Sequence, residues 1–179
     1  MRNVHERHFP VPAAKAAPLI DNLASPDDVL WPDDAWPKLR LDRPLGVGAA
    51  GGHGPIRYSV TAYEPGRAVE FTFAPTMNVR GTHTFFVEPD GEDACLLCHV
   101  MVLRTRGSML LVWPLVIRWL HDACLEDLLD NAEEALTGRV ASPARWSWWV
   151  RFVRTRMARR RGRTPVLARR RPAAASHGR

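Results

Sequence analysis

A chain of 179 residues, 46% of them apolar, is long enough for one domain with a sizeable core, and its formal charge of +6 conceals an uneven split. Residues 139–179 hold 13 of the 25 Lys and Arg and no acid, while the first 138 residues carry 12 basic against 19 acidic side chains, so any polyanionic partner belongs to the tail and not to the domain. Three cysteines exclude a disulfide framework and fit a reducing compartment; the most apolar run, residues 109–120, contains Pro114 and Arg118 and falls short of the roughly 20 apolar residues a bilayer span needs.

The N-terminal MRNVHERHFPVP has no apolar core of a signal peptide, which leads us to expect a cytoplasmic protein. Residues 3–9 alternate and are expected to form a first strand whose inward face the alternation does not decide. Pro12 then opens an Ala-rich helix, AAKAAPLIDNLA, that Pro18 should shorten or bend, and Ser25-Pro26-Asp27-Asp28 is a second helix-start signal. Two short helices are therefore expected after the first strand. Residues 39–45 suggest another strand, and the glycine-rich residues 46–54 a mobile loop.

From Pro55 the pattern is regular. Ile56, Tyr58, Val60 and Ala62 alternate with Arg57, Ser59, Thr61 and Tyr63; Val69, Phe71 and Phe73 alternate with Glu70 and Thr72; residues 81–88 repeat the pattern. Turn residues at 64–67 and 89–93 join these runs, which predicts an antiparallel meander ending in CLLCHVMVL, apolar on both faces and hence central or covered on both sides. From Pro114 to Gly138 the 3.6-residue period gathers Trp113, Ile117, Leu120, His121, Cys124, Leu125, Leu128, Ala132, Ala135 and Leu136 on one arc. Arg118, Asp122, Glu126, Asp130, Glu133 and Glu134 fall on the other, with Pro114 in the first turn and Gly138 at the C-cap. The predicted class is α+β: a curved antiparallel sheet that must bury one face, wrapped around a long C-terminal helix.

The stretches GHGPIRYSVTAYEPGRAVEFTF, GTHTFFVEPDGEDACLLCHVMV and WLHDACLEDLLDNAEEAL, in this order, resemble the SRPBCC superfamily, the START-like or Bet v 1-like helix-grip proteins, in its bacterial polyketide cyclase and lipid-transport-like branch. The resemblance covers residues 3–138 and rests on order and texture, with no catalytic signature. It implies an internal apolar cavity for a small hydrophobic molecule such as a lipid, polyketide or aromatic compound, and no fixed chemistry. The side chains expected to line that cavity are Tyr58, Val60, Phe71, Phe73, His83, Phe85, Leu97, His99, Met101, Trp113, Ile117, His121 and Leu125.

His83, His99 and His121 are the candidate polar groups. Folding the 81–103 hairpin about Gly91 should bring the first two approximately opposite one another, and His121 sits in the apolar arc of the helix. As neutral imidazoles they would anchor a ligand; as acids or bases they would serve a cyclase, dehydratase or hydrolase on the same scaffold. Binding without catalysis is the reading adopted, with no cofactor and no metal, and a third alternative is an accessory protein whose pocket is closed.

Two motif matches carry no function. Residues 46–51 spell GxGxxG, but Gly52, His53, Gly54 and Pro55 follow where a dinucleotide fingerprint needs a helix. Cys95 and Cys98 spell CxxC on a predicted strand, where residues three apart point to opposite faces. Beyond Gly138 a separate basic tail is expected, part amphipathic helix and disordered toward its end. Within it, Trp146, Trp149, Arg151 and Arg154 suit contact with an anionic membrane on the inner membrane face, and the tryptophans favour lipid over nucleic acid.

Overall fold

A computed structural model describes residues 1–160. Its element order is β1 (Arg2–Phe9), α1 (Ala13–Asp21), β2 (Arg40–Leu41), β3 (Ala50–His53), β4 (Ile56–Glu64), β5 (Ala68–Phe73), β6 (Val79–Pro89), β7 (Cys95–Thr105), α2 (Met109–Val112), a π-helical turn (Trp113–Ile117), α3 (Arg118–Thr137) and α4 (Trp148–Arg160). The seven strands form one antiparallel sheet in the order β1-β7-β6-β5-β4-β3-β2, so β1 returns to close the edge beside the last strand. The sheet curves around the long helix, as the alternation in β4 to β6 requires: Tyr58, Val60, Val69, Phe71, Phe85 and Val87 all turn inward and are buried.

Local chemistry explains most boundaries. Gly81 pairs so closely with β7 that a Cβ there would lie 2.0 Å from the Val102 carbonyl oxygen, and its φ of +142° is open only to glycine. Gly138 caps α3 with φ 77°, its N–H bonded to the Glu134 carbonyl. The helix does not begin at Pro114. It starts at Met109, and because Pro114 has no N–H to give the preceding turn, residues 113–117 widen to a π turn in which the Arg118 N–H reaches the Trp113 carbonyl.

Several expectations change. α1 runs through Pro18 as one helix, and Asp21 at its end accepts from the Tyr63 hydroxyl at 2.8 Å and the Gly66 N–H at 2.7 Å, tying it to the β4–β5 turn. The second helix signal is a turn instead: Asp28 accepts the N–H groups of Ala24, Leu30 and Trp31, which spends on turn geometry the carboxylate expected to cap a helix. The glycine-rich loop becomes β3, ending in His53, so the GxGxxG letters lead into a strand. The strand expected at 39–45 shrinks to Arg40–Leu41. β7 is interior to the sheet, but its outer face is only partly covered, with Val102 half exposed. Cys95, Cys98 and Cys124 are all free and buried.

The edge of the globular body also moves. Trp146 and Val150 belong to the main core, beyond the boundary expected at residue 138. Asp127 of α3, wholly buried, accepts from the indoles of Trp36 at 2.7 Å and Trp146 at 2.8 Å. The guanidinium of Arg154 stacks on both rings, 4.4 Å and 5.3 Å from their centres. The expected disorder at the end of the tail concerns residues outside those described.

Candidate functional site

Between the sheet and the helical rod lies a hollow of about 70 Å³. Its floor is Tyr58 of β4, Phe73 of β5, His83 and Phe85 of β6, and His99 and Met101 of β7; its roof is Trp113 and Ile117 of the π turn with His121, Cys124 and Leu125 of α3; Trp31, His53 and Ile56 close one side. Ten of the thirteen expected lining residues meet there. Val60, Phe71 and Leu97 lie in the packed core beside it, Phe71 stacking on the His83 ring at 5.0 Å. His53, Ile56 and Cys124 join the lining beyond the expected set, and Trp31, which the sequence offers either as a cap on the opening or as packing on the sheet edge, lies at the side of the hollow. His53 was assigned to a loop, and Trp31 sits in a proline-rich connection that gives no periodicity to read. A wider depression of about 450 Å³ at the β2–β3 edge, lined by Lys38, Arg40 and Arg57, opens flat to solvent and encloses nothing.

The histidines form a row. His83 and His99 occupy diagonal positions of the β6–β7 ladder, since His83 faces Met101 and Phe85 faces His99, and their rings stand 5.6 Å apart. His99 lies 5.2 Å from His121, and His121 lies 6.0 Å from His5 of β1. Phe71, Tyr58 and Phe85 pack around them. Nε2 of His83 and Nδ1 of His99 and of His121 are shut off from solvent and meet no protein group within hydrogen-bond reach.

Burial lowers the pKa of His83 and His99 well below the usual histidine value, with the other imidazoles adding repulsion, and lowers His121 in the same direction. For His53 the same cause brings the value down to about 4. Near pH 7 these rings are neutral. The outer end of the row has the opposite character. Burial also works against a charge on His5, but hydrogen bonds to Asp122 at 3.1 Å and Glu126 at 2.9 Å outweigh it and push its pKa up to about 9. Arg7 continues this seam to Asp130, Glu133 and Glu126. The inward face of β1 is therefore polar, and the acidic arc of α3 expected to face solvent is half covered by it.

The residues expected to contact a membrane divide. Trp146 and Arg154 are held inward against Asp127 and Trp36, while Arg151 stays exposed and Trp149 donates its indole N–H to the Leu115 carbonyl at 2.9 Å. Exposed apolar side chains gather elsewhere: Leu110, Leu111, Leu115 and Trp119 on the outer side of the roof, and Trp148 and Phe152 on α4, brought alongside by the Trp149–Leu115 bond. Among the described residues no helix is long and apolar enough to cross a membrane.

The sequence matches no family model and none of the curated proteins. Solved structures do match in shape. One is a Thermobifida fusca protein solved in solution by NMR (TM-score 0.58, 16% identity, 82% of this chain and 99% of that one). Another is norcoclaurine synthase from Thalictrum flavum in complex with dopamine and hydroxybenzaldehyde (TM-score 0.55, 18% identity, 76% and 86%). A third is CalU16 from Micromonospora echinospora (TM-score 0.50, 14% identity, 79% and 89%). At such identities the likeness concerns the fold alone, and with the sheet order and the gripped helix it gives one conclusion: this chain has a helix-grip fold, the fold it shares with these structures.

Proposed function

We propose that the protein binds a small, mainly apolar molecule with one or two hydrogen-bonding groups between the sheet and the α2–α3 rod. The observation that carries this reading is the pair of unpartnered imidazole nitrogens, Nε2 of His83 and Nδ1 of His99, around an otherwise aromatic and aliphatic hollow. Apolar walls with a few convergent polar groups are the usual composition of a small-molecule site, and desolvation of the ligand at about 25 cal/mol per Å² supplies the affinity. A protein of the same fold has been solved with dopamine and hydroxybenzaldehyde, which supports small aromatic molecules as the class to try first.

The hollow of about 70 Å³ has room for a few waters only, against roughly 300 Å³ at the lower end for small-molecule pockets. Entry therefore requires the roof to lift, and the π turn at Pro114 is where the helical hydrogen-bond ladder is already irregular. The outer surface of that roof, with Leu110, Leu111, Leu115 and Trp119 exposed and Arg118, Arg151 and Arg156 nearby, suits an anionic membrane surface from which an apolar ligand would partition. An enzyme using the same histidines is the weaker reading, because an imidazole whose pKa lies well below 7 has little proton affinity to offer as a base.

Native mass spectrometry of freshly purified full-length protein tests the reading. We expect a fraction carrying an added small-molecule mass, lost on organic extraction, and micromolar uptake of 4-hydroxybenzaldehyde or a comparable aromatic probe. Unliganded protein in every preparation, together with no uptake of any apolar probe, would leave a closed accessory protein as the correct description.

A further inference from the structure

At the outer end of the histidine row, His5 and Asp122 lie beyond the lining of the hollow, next to His121 of its roof. There β1 and α3 bring three residues together, His5, His121 and Asp122, each with one ligand atom within 4.8 Å of those of the other two. Asp122 Oδ1 is 3.1 Å from His5 Nε2 and 3.7 Å from His121 Nδ1. Ligands at about 2.0–2.1 Å around a tetrahedral ion stand about 3.3 Å apart, so both edges to Asp122 are near that spacing, and the two imidazoles, whose ligand atoms lie within 4.8 Å, close the third by turning of the side chains.

An ion pair explains His5 but not its neighbour. The contact of 3.7 Å between His121 Nδ1 and Asp122 is too long for a hydrogen bond, and that nitrogen is solvent-excluded without any other partner. It is turned toward an oxygen that His5 and Asn3 already engage, at 3.1 Å and 3.0 Å. A cation at the centre would satisfy all three donors at once. The surroundings match what ligating histidines need: Glu126 Oε1 accepts from His5 Nδ1 at 2.9 Å, which directs Nε2 inward, and Arg7 holds Glu126 from behind at 3.4 Å.

We propose that His5, His121 and Asp122 form a site for one divalent ion of the zinc class, with Glu126 as the residue that orients His5. Two imidazoles and a carboxylate suit zinc, cobalt or nickel over the harder calcium and magnesium, and three protein ligands leave a fourth position for water. The site adjoins the proposed ligand hollow and shares His121 with it, so the two proposals are told apart through His5, Asp122 and Glu126, none of which lines the hollow.

The test uses full-length protein stripped with chelator, titrated with Co²⁺ as a visible-absorption probe and then with Zn²⁺ as competitor. The expected result is one equivalent of Co²⁺ bound at micromolar concentration, giving the ligand-field bands of a low-coordinate nitrogen and oxygen site, and displaced by Zn²⁺. H5Q and D122N should each weaken binding by about 100-fold and E126Q by about 10-fold, with H8Q, at an exposed histidine outside both sites, unchanged. Binding only at millimolar Co²⁺ overturns the proposal, and so does stoichiometric binding retained by H5Q, since the ion then sits elsewhere on the chain. Should H5Q and D122N fail to fold by circular dichroism, E126Q decides: its side chain is half exposed, and undiminished affinity in that folded variant also overturns the proposal.

Discussion

His83 gains nothing from a proton. Tyr58 from β4, Phe71 and Phe73 from β5, and Phe85 and His99 from the hairpin surround its ring, with His53 and His121 further off, and no acid faces it. Burial holds its folded pKa well below 6.5, so below that pH the unfolded chain binds the extra proton and stability falls as pH falls; above 6.5 the full stability is present. His53, brought down to about 4, adds to the same loss between 6.5 and 4. Each such histidine contributes a slope of up to about 1.4 kcal/mol per pH unit in that window. His5, pushed up to about 9, works the other way above 6.5, so the comparison belongs below that value: urea unfolding at pH 6.5 and 5.0 should show the loss, and H83F should flatten the dependence; an unchanged slope would mean that the ring titrates in the folded state. His83, His99 and His121 were legible because a two-residue and a 3.6-residue period place them on inward faces. His53 was not, because the four residues of β3 are two glycines, an alanine and the histidine itself, and such a run has no apolar alternation. His5 was missed for a related reason: charged residues at an edge strand read as solvated whether or not a helix covers them.

At the scale of elements, the helix most nearly read from sequence is the one whose environment was least complete. Its apolar arc was legible, and Cys124, Leu125, Leu128 and Ala132 are indeed buried, but so are Asp127, Leu129 and Asp130. Periodicity assigns acids to water because an unpaired buried carboxylate is costly; it cannot see that β1 brings Arg7 to Asp130 at 2.9 Å, or that two indoles converge on Asp127. The amphipathic helix expected in the tail illustrates the same limit. Trp146 and Val150 have the spacing of an interfacial helix, and the apolar partner they find is the domain itself. Trp146→Ala removes a buried indole and one of the Asp127 donors, and should cost about 3–5 kcal/mol by chemical denaturation. Trp146→Phe keeps the ring and loses only the hydrogen bond, for about 1.5–3 kcal/mol. If both variants unfold at the wild-type midpoint, residues 139–160 are a separate tail after all.

For the whole molecule, the roof has to satisfy opposite demands on its two faces. Inward, Trp113 and Ile117 seal a hollow too small for the proposed ligand; outward, Leu110, Leu111 and Leu115 expose apolar surface that no described residue covers. Meander, turn and long helix were readable as an order of elements, since each has its own period, but the volume left between them was not, because it depends on how far a curved sheet and a helix approach and no local pattern encodes that distance. If the outward leucines serve a membrane and the inward residues serve a ligand, substitutions on the two faces must separate. Leu111→Glu with Leu115→Glu replaces side chains 68% and 60% exposed, so stability should change by about 0.5 kcal/mol or less. Co-sedimentation with vesicles of equal phosphatidylglycerol and phosphatidylcholine should be lost, while aromatic-probe binding in solution persists. Ile117→Trp, which puts an indole into the hollow, should do the reverse, abolishing probe binding and leaving vesicle binding intact. Loss of both activities in both variants would show that the roof is one rigid structural unit, and that neither face has the separate role assigned to it.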